Sequence, residues 1–306
     1  MAEQSCRRRG MDHDLYPFWP DDRRPEWPLP NGARIAFFVL LHVEHWELHP
    51  PRGAFRDPRF RGVYGDFAPD YWRWSYRLYG NRVGIHRILR VLDDLEVPAT
   101  VAFNAMAVDR YPDIVEAVRR RRGWEPVAHG IAATRMITSE MTEEDERQHI
   151  VEARDAVARA FGRRPQGWAG QDHGATTRTS ALLAEAGFAY TLDWPNDERP
   201  YAQLADGRLL AVPVQPDWDD VQALWLRRVP LQGYPDLVAE AADELAESEP
   251  TGRLLCLGLH PWMIGAPHRI AYLRQALARI RERSDVWFAT AGEIAAQYRA
   301  AHAGPA

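Results

Sequence analysis

Five histidines and a set of carboxylates and carboxamides stand directly after short apolar runs, and that placement sets the chemistry open to the chain. His42, Glu44 and His45 follow the run from Ile35 to Leu41, Asn104 follows Val97 to Phe103, and His129 closes Pro126 to Ala128. Gln171, Asp172 and His173 come after Gly167 to Ala169, and His260 after Leu254 to Leu259. Asp193, Asn196 and Asp197, then Gln215 and Asp217, hold the same place behind two further runs. A carboxylate at the end of a buried strand has to be paired, bound to metal or catalytic, because an unpaired ion out of water is costly. Imidazoles beside it trade protons near neutral pH or ligate a divalent ion. Such groups together can activate a water, steady an oxyanion and protonate a leaving nitrogen, which is what amide hydrolysis demands.

Most of these residues also have a plainer reading. His42 can be a core histidine bonded to a carbonyl. Asp172 and His173 can cap the helix that begins at Thr179, and Tyr71, Trp72, Trp74 and Tyr76 can be packing within a loop. Glu44, His129 and His260 carry the catalytic reading. His129 sits in a Val-Ala-His-Gly turn whose Gly130 lets a ligand approach the backbone, and Pro261 stiffens the chain after His260.

The runs that position these groups are short, continuous and rich in aromatic and β-branched side chains, as strands buried on both faces of a parallel sheet are. Between them the spacing predicts helices over 82–95, 112–120, 142–161, 179–186, 235–247 and 268–283, with Gly187 as a left-handed cap. Alternating strands and helices predict an α/β fold, a single distorted (β/α) barrel with about seven parallel strands, whose carboxyl ends form the ligand-binding mouth. Residues 1–30 are expected as an irregular N-terminal arm and 31–300 as the catalytic barrel. The segment from Pro50 to Tyr79 reads as a long loop too aromatic to be a linker.

The 306 residues are 26% charged and 46% apolar with a net charge of -5, which suits a globular enzyme and offers no basic footprint for nucleic acid. Cys6 and Cys256 lie far apart, so neither a disulfide framework nor a thiolate zinc site is encoded. No apolar leader follows the basic N-terminal cluster, and no run of about 18 apolar residues occurs. The expectations are a cytoplasmic location, a small-molecule substrate, no nucleic-acid or membrane partner, and assembly into a homo-oligomer.

From about Trp27 to Tyr298 the chain resembles the polysaccharide deacetylase superfamily, in the branch that contains the allantoinase of uric acid breakdown. The motifs are Trp-Pro-Leu-Pro-Asn-Gly-Ala-Arg-Ile-Ala (27–36), Tyr-Gly-Asn-Arg-Val-Gly (79–84), Val-Ala-His-Gly (127–130) and Arg-Pro-Gln-Gly-Trp (164–168). Others are Asp-Trp-Pro-Asn-Asp-Glu-Arg-Pro-Tyr (193–201), Gly-Leu-His-Pro-Trp-Met-Ile-Gly-Ala-Pro-His-Arg (258–269) and Val-Trp-Phe-Ala (286–289).

In typical members the first strand ends in Thr-Phe-Asp-Asp-Gly, whose first Asp is the base and whose second binds metal with two histidines of a His-x-x-x-His turn. Here the resemblance puts Val43 at the base position, Glu44 at the metal position, and Ala133 where the second turn histidine belongs. It implies Glu44 and His129 as metal ligands for zinc or a similar divalent ion, with His42 or His45 as a third, and no organic cofactor. It also implies Glu44, His260 and Asp172 as catalytic, and His173, Trp168, Asp193, Asp197 and Trp262 as substrate-binding. Three functions stay open: opening of a small cyclic amide, imide or ureide, deacetylation of an N-acetylated sugar, and ligand binding without catalysis. For catalysis Glu44, His129 and His260 have to lie within about 12 Å of one another, near enough to share one amide.

Overall fold

The computed structural model describes residues 12–51, 69–204, 206–247 and 252–302. Cys6 and most of the expected aromatic loop lie outside them. The first apolar run forms β1 (Ile35–Val43), which extends through His42 instead of stopping at Leu41. It pairs in parallel with β2 (Ala99–Phe103) on one side and β8 (Arg253–Leu259) on the other. Outward from β2 follow β3 (Glu125–Ala128), β4 (Gly167–Trp168), β5 (Tyr190–Thr191) and β7 (Leu209–Ala211), all parallel. Two strands that the sequence did not announce complete the described sheet. β6 (Tyr201–Gln203) runs antiparallel on β7, and β9 (Val286–Phe288) pairs with the start of β1. The sheet curls into a half-barrel, the distorted (β/α) barrel that the alternation of strands and helices predicts. At the seam Leu254 N donates to Glu198 O at 2.7 Å, and Gln215 Nε2 donates to the carbonyls of Asp197 and Leu254 at 3.3 Å.

Strand periodicity divides the core into two layers, since alternate side chains face opposite ways. Ile35, Phe37, Val39, Leu41 and Val43 pack outward under the helices, while Ala36, Phe38 and Leu40 face into the curl with Ala102, Val127, Ala169, Val212, Leu254 and Cys256. The register puts Val43 beside Phe103, Phe103 beside Ala128, and Ala128 beside Trp168. Each strand therefore delivers its next inward residue to one rim.

The outer layer is helical. α5 (Glu143–Phe161) starts at Thr142, whose Oγ1 accepts from Asp145 N at 3.1 Å, and stops at Gly162 with φ +69°. Gly187, at φ +85°, follows α6 (Thr179–Glu185) as expected. The expected loop up to Tyr79 is helical from Tyr71. Here α1 (Tyr71–Tyr79), capped by Asp70, passes through a π-helical turn at Gly80–Gly84 into α2 (Ile85–Asp94). No helix among the described residues is long and apolar enough to cross a membrane.

Residues 12–30 are tied to the seam. Asp21 receives both terminal nitrogens of Arg253, at 3.0 and 2.7 Å, and also pairs with Arg199. Arg24 pairs with Asp197, and the buried Trp27 ring meets Tyr298 edge-on at 5.7 Å.

Candidate active site

His42 and Glu44 continue the inward series of β1, and His129 stands two residues beyond the inward Val127. The His129 Nδ1 lies 2.6 Å from the carbonyl of Ala169, which can only accept, so Nδ1 carries the hydrogen. In the neutral ring the Nε2 lone pair then faces Glu44 Oε1 at 3.5 Å and His42 Nδ1 at 3.3 Å. Gln171 Nε2 donates to Glu44 Oε1 at 2.6 Å, and Asn81 Nδ2 donates to the Glu44 carbonyl at 2.7 Å. Asn104 ties the neighbouring turns together, accepting from His45 N at 2.9 Å and donating to the His129 carbonyl. The turn after His129 is held further by α3 (Ala105–Arg110), whose first amides donate to the carbonyls of Gly130 and Ile131.

Burial works against the charge on Glu44, but the adjoining His129 ring and the charged His260 hold its carboxyl far below the usual range. Burial pushes His42 well down, reinforced by His260 and His129, so that ring is neutral at pH 7. His260 goes the other way. Burial opposes its charge, yet Asp219 and Asp220 raise it to about 10. Its Nδ1 lies 2.7 Å from Asp220 Oδ1, and its backbone N donates to Asp220 Oδ2 at 2.8 Å. Asp219 Oδ2 is 3.7 Å from the same ring nitrogen. A Cβ at Gly258 would lie 2.2 Å from Asp219 Oδ2, so only glycine leaves room for that carboxylate. The cationic His260 ring lies parallel to the neutral His42 ring, 4.3 Å apart and 5° from coplanar directions.

Two of the sequence motifs turn out to be one contact. A Cβ at Gly80 would lie 2.5 Å from Trp262 N, and one at Gly84 2.0 Å from Pro261 O, so the π-helical turn rests directly on the chain after His260. This brings Arg77 of α1 over the Trp262 ring, with its guanidinium carbon 3.3 Å from the centroid, and near Trp46 at 4.6 Å.

A divalent ion fits one part of this arrangement. Around a tetrahedral zinc with bonds of about 2.0–2.1 Å, neighbouring donors sit about 3.3–3.4 Å apart. His129 Nε2 lies 3.3 Å from His42 Nδ1 and 3.5 Å from Glu44 Oε1, the three residues bring their donors within 4.8 Å of one another, and the Ala169 carbonyl on His129 Nδ1 is the support expected of a ligating imidazole. The group of His42, Asp219 and His260 is also compact, but its two parallel rings direct their lone pairs in separate planes and so cannot meet at one ion. His45 turns away to the Tyr111 hydroxyl at 2.9 Å, which leaves His42 as the third ligand of the expected pair. Ala133 contributes only its amide, donated to the His45 carbonyl at 2.9 Å.

Of the residues marked by the sequence, His42, Glu44, His129, Gln171, Asp172, His173, His260 and Trp262 line one cavity. Asp172 and His173 do not cap α6, whose N-cap is Arg178 with no side-chain bond; they sit at the mouth with φ of +49° and +56°. Trp168 is excluded because it faces outward, wholly buried against Phe188 and His149. Asp193 accepts from Gly170 N and the Thr191 hydroxyl, holding the turn instead of a substrate. Asp197 belongs to the seam, Asn196 bonds Tyr16 and Tyr201, and Asp217 pairs with Arg227 at the surface. Sequence reasoning missed Arg77, Trp46, Asp219 and Asp220. The aspartate pair was visible two residues past Asp217, whereas Arg77 had no local signal.

A polysaccharide deacetylase family model matches residues 79–191. A Schizosaccharomyces pombe protein assigned to the polysaccharide deacetylases is 28% identical over 246 residues, covering 73% of this chain and 75% of its own. Among solved structures, one of a Pseudomonas aeruginosa protein assigned to the same group superposes with a TM-score of 0.78 at 26% identity, covering 92% of this chain and 96% of that one. The Puue allantoinase superposes with a TM-score of 0.77, also at 26% identity, over 92% of this chain and 95% of its own. With the half-barrel and its rim of histidines and acids, these likenesses make the chain similar in sequence and fold to the polysaccharide deacetylases and to an allantoinase.

Proposed function

We propose that the chain hydrolyses the carbon–nitrogen bond of a small cyclic amide, imide or ureide. The observation that carries this reading is the placement of His260, held protonated by two aspartates, against the His42 ring that touches the Glu44–His129 pair. Amide cleavage needs a proton acceptor for the attacking water and a proton donor for nitrogen, and the cavity offers one on each side. Water between Glu44 and His129 passes its proton to His129 Nε2, and the carboxylate 3.5 Å away steadies the resulting imidazolium. His260 then protonates the departing nitrogen, while Asp220 fixes its tautomer and orientation. Asp172, at the mouth, orients the substrate. A divalent ion held by His42, Glu44 and His129 would supply a Lewis acid that acidifies water.

The absence of an aspartate at Val43 and of a histidine at Ala133 favours a cyclic amide over an N-acetylated sugar, and so does the likeness to an allantoinase. Deacetylation is the second reading, favoured by the family model and by the relative from yeast. Elemental analysis of the purified protein beside a turnover screen over cyclic imides, ureides and N-acetylated glycans tests both. Turnover confined to N-acetylated sugars would overturn the first reading, and no turnover with any of them would leave a binding protein.

A further inference from the structure

Building on the hydrolytic reading of the cavity, we propose that Arg77 receives a carboxylate, either the one that hydrolysis generates or one that the substrate already carries. Arg77 is 5% exposed and lines the cavity together with Glu44, Trp46 and Trp262. A separation of 3.3 Å between the guanidinium carbon and the Trp262 centroid is the contact distance of one flat group laid on another. Stacking of that kind holds the cation by its faces, and its N–H donors lie in the guanidinium plane. The edge of such a group matches both oxygens of a carboxylate. Burial lowers Arg77 only to about 10, so it stays charged at neutral pH.

The reaction creates the need for such a cation. The C–N bond breaks, the carbonyl carbon takes the water oxygen, nitrogen gains a proton, and the acid so formed ionises. A neutral substrate becomes an anion in a cavity that already holds Glu44, Asp172 and Asp219. Arg77 offsets that charge, and a Trp-lined wall keeps water from screening it.

Calorimetric titration of the full chain with N-carbamoylglycine and with acetate, each beside its uncharged amide, tests the assignment. Each acid is expected to bind at least about tenfold tighter than its amide, as a charge-assisted pair allows. Arg77→Met should erase the preference and Arg77→Lys should keep part of it. Equal affinity of acid and amide for the unmodified chain overturns the proposal without any variant, and so does a folded Arg77→Met chain that retains the preference. A KM raised only for carboxylated substrates in Arg77→Met assigns the anion to the substrate, whereas relief of product inhibition alone assigns it to the product. If nothing in the turnover screen reacts while acids still bind through Arg77, the hydrolytic reading fails and the carboxylate site stands.

Discussion

The mouth and the seam both bury charge, and they do it in different ways. At the seam opposite charges meet: Asp21 faces Arg199 and Arg253, Asp197 faces Arg24, and further guanidinium donors end on the carbonyls of Pro25 and Pro200. At the mouth opposite charges pair too, His260 with its aspartates, but like groups also crowd together. Three imidazoles crowd together, His42 against both His129 and His260, and two adjacent aspartates approach one ring nitrogen. Oppositely paired charge holds a chain together, whereas like groups forced onto one cavity keep unspent capacity for protons, ions or substrate. Burial of charge is thus no mark of a site; convergence of like groups is.

The largest effect that tests this contrast is on turnover. Glu44→Gln, which removes the charge that steadies the His129 imidazolium, and His260→Ala, which removes the proton donor, should each lower kcat by about 10² to 10⁴ with KM little changed. The melting temperature of Glu44→Gln should be unchanged or higher, whereas His260→Ala, which leaves Asp219 and Asp220 without their cation, should melt lower. A Glu44→Gln chain that melts early yet keeps its turnover would put Glu44 in the same class as the seam residues. Asp21→Asn should do the converse. Asp21 is partly exposed, so the loss is on the order of 2 kcal/mol, less than for a fully buried pair, read by urea denaturation with the kcat of the folded protein intact.

Acidity and alkalinity separate the two regions further. The arginine bonds hold Asp21 below its ordinary value, although its partial burial works the other way. Its contribution is therefore complete above about pH 4 and is lost as pH falls through the lowered value. His260 is raised, so its contribution is complete below about pH 6.5 and disappears as pH climbs towards 10. Thermal melts across that alkaline window should show a decline that His260→Ala removes and Asp21→Asn does not. The smallest expected effect is on the activity profile: Asp220→Asn should bring the alkaline limb down by at least about one pH unit, roughly 1.4 kcal/mol. An unmoved limb would mean that Asp220 only positions the ring.

Much of the mouth was legible because strand parity is arithmetic. Residues two or four positions beyond an inward apolar side chain, such as His129 after Val127 and His260 after Cys256, had to reach the rim. The same arithmetic, applied at Gly167-Trp168-Ala169, would have sent Trp168 outward; the resemblance placed it among the substrate-binding residues instead. Asp197 was misread because polar residues after a strand serve a seam as readily as a site. Arg77 was out of reach, since its helix is seated on the mouth by the Gly80 and Gly84 contacts with residues about 180 positions later, and no local pattern encodes them. The π-helical turn has the same cause.

The bonds from Asp21 to Arg253 join residues 232 positions apart. During synthesis the arm emerges 232 residues before its partner. Until Arg253 arrives, β8 is missing as well, and β1, the strand that bears Glu44, lacks the neighbour that covers one whole edge. A growing chain therefore carries an open, apolar strand edge from the time β1 is made until β8 follows it, the condition in which chains pair wrongly or aggregate. Closing the seam is the late, long-range step that ends this exposure, and contacts of such separation form slowly.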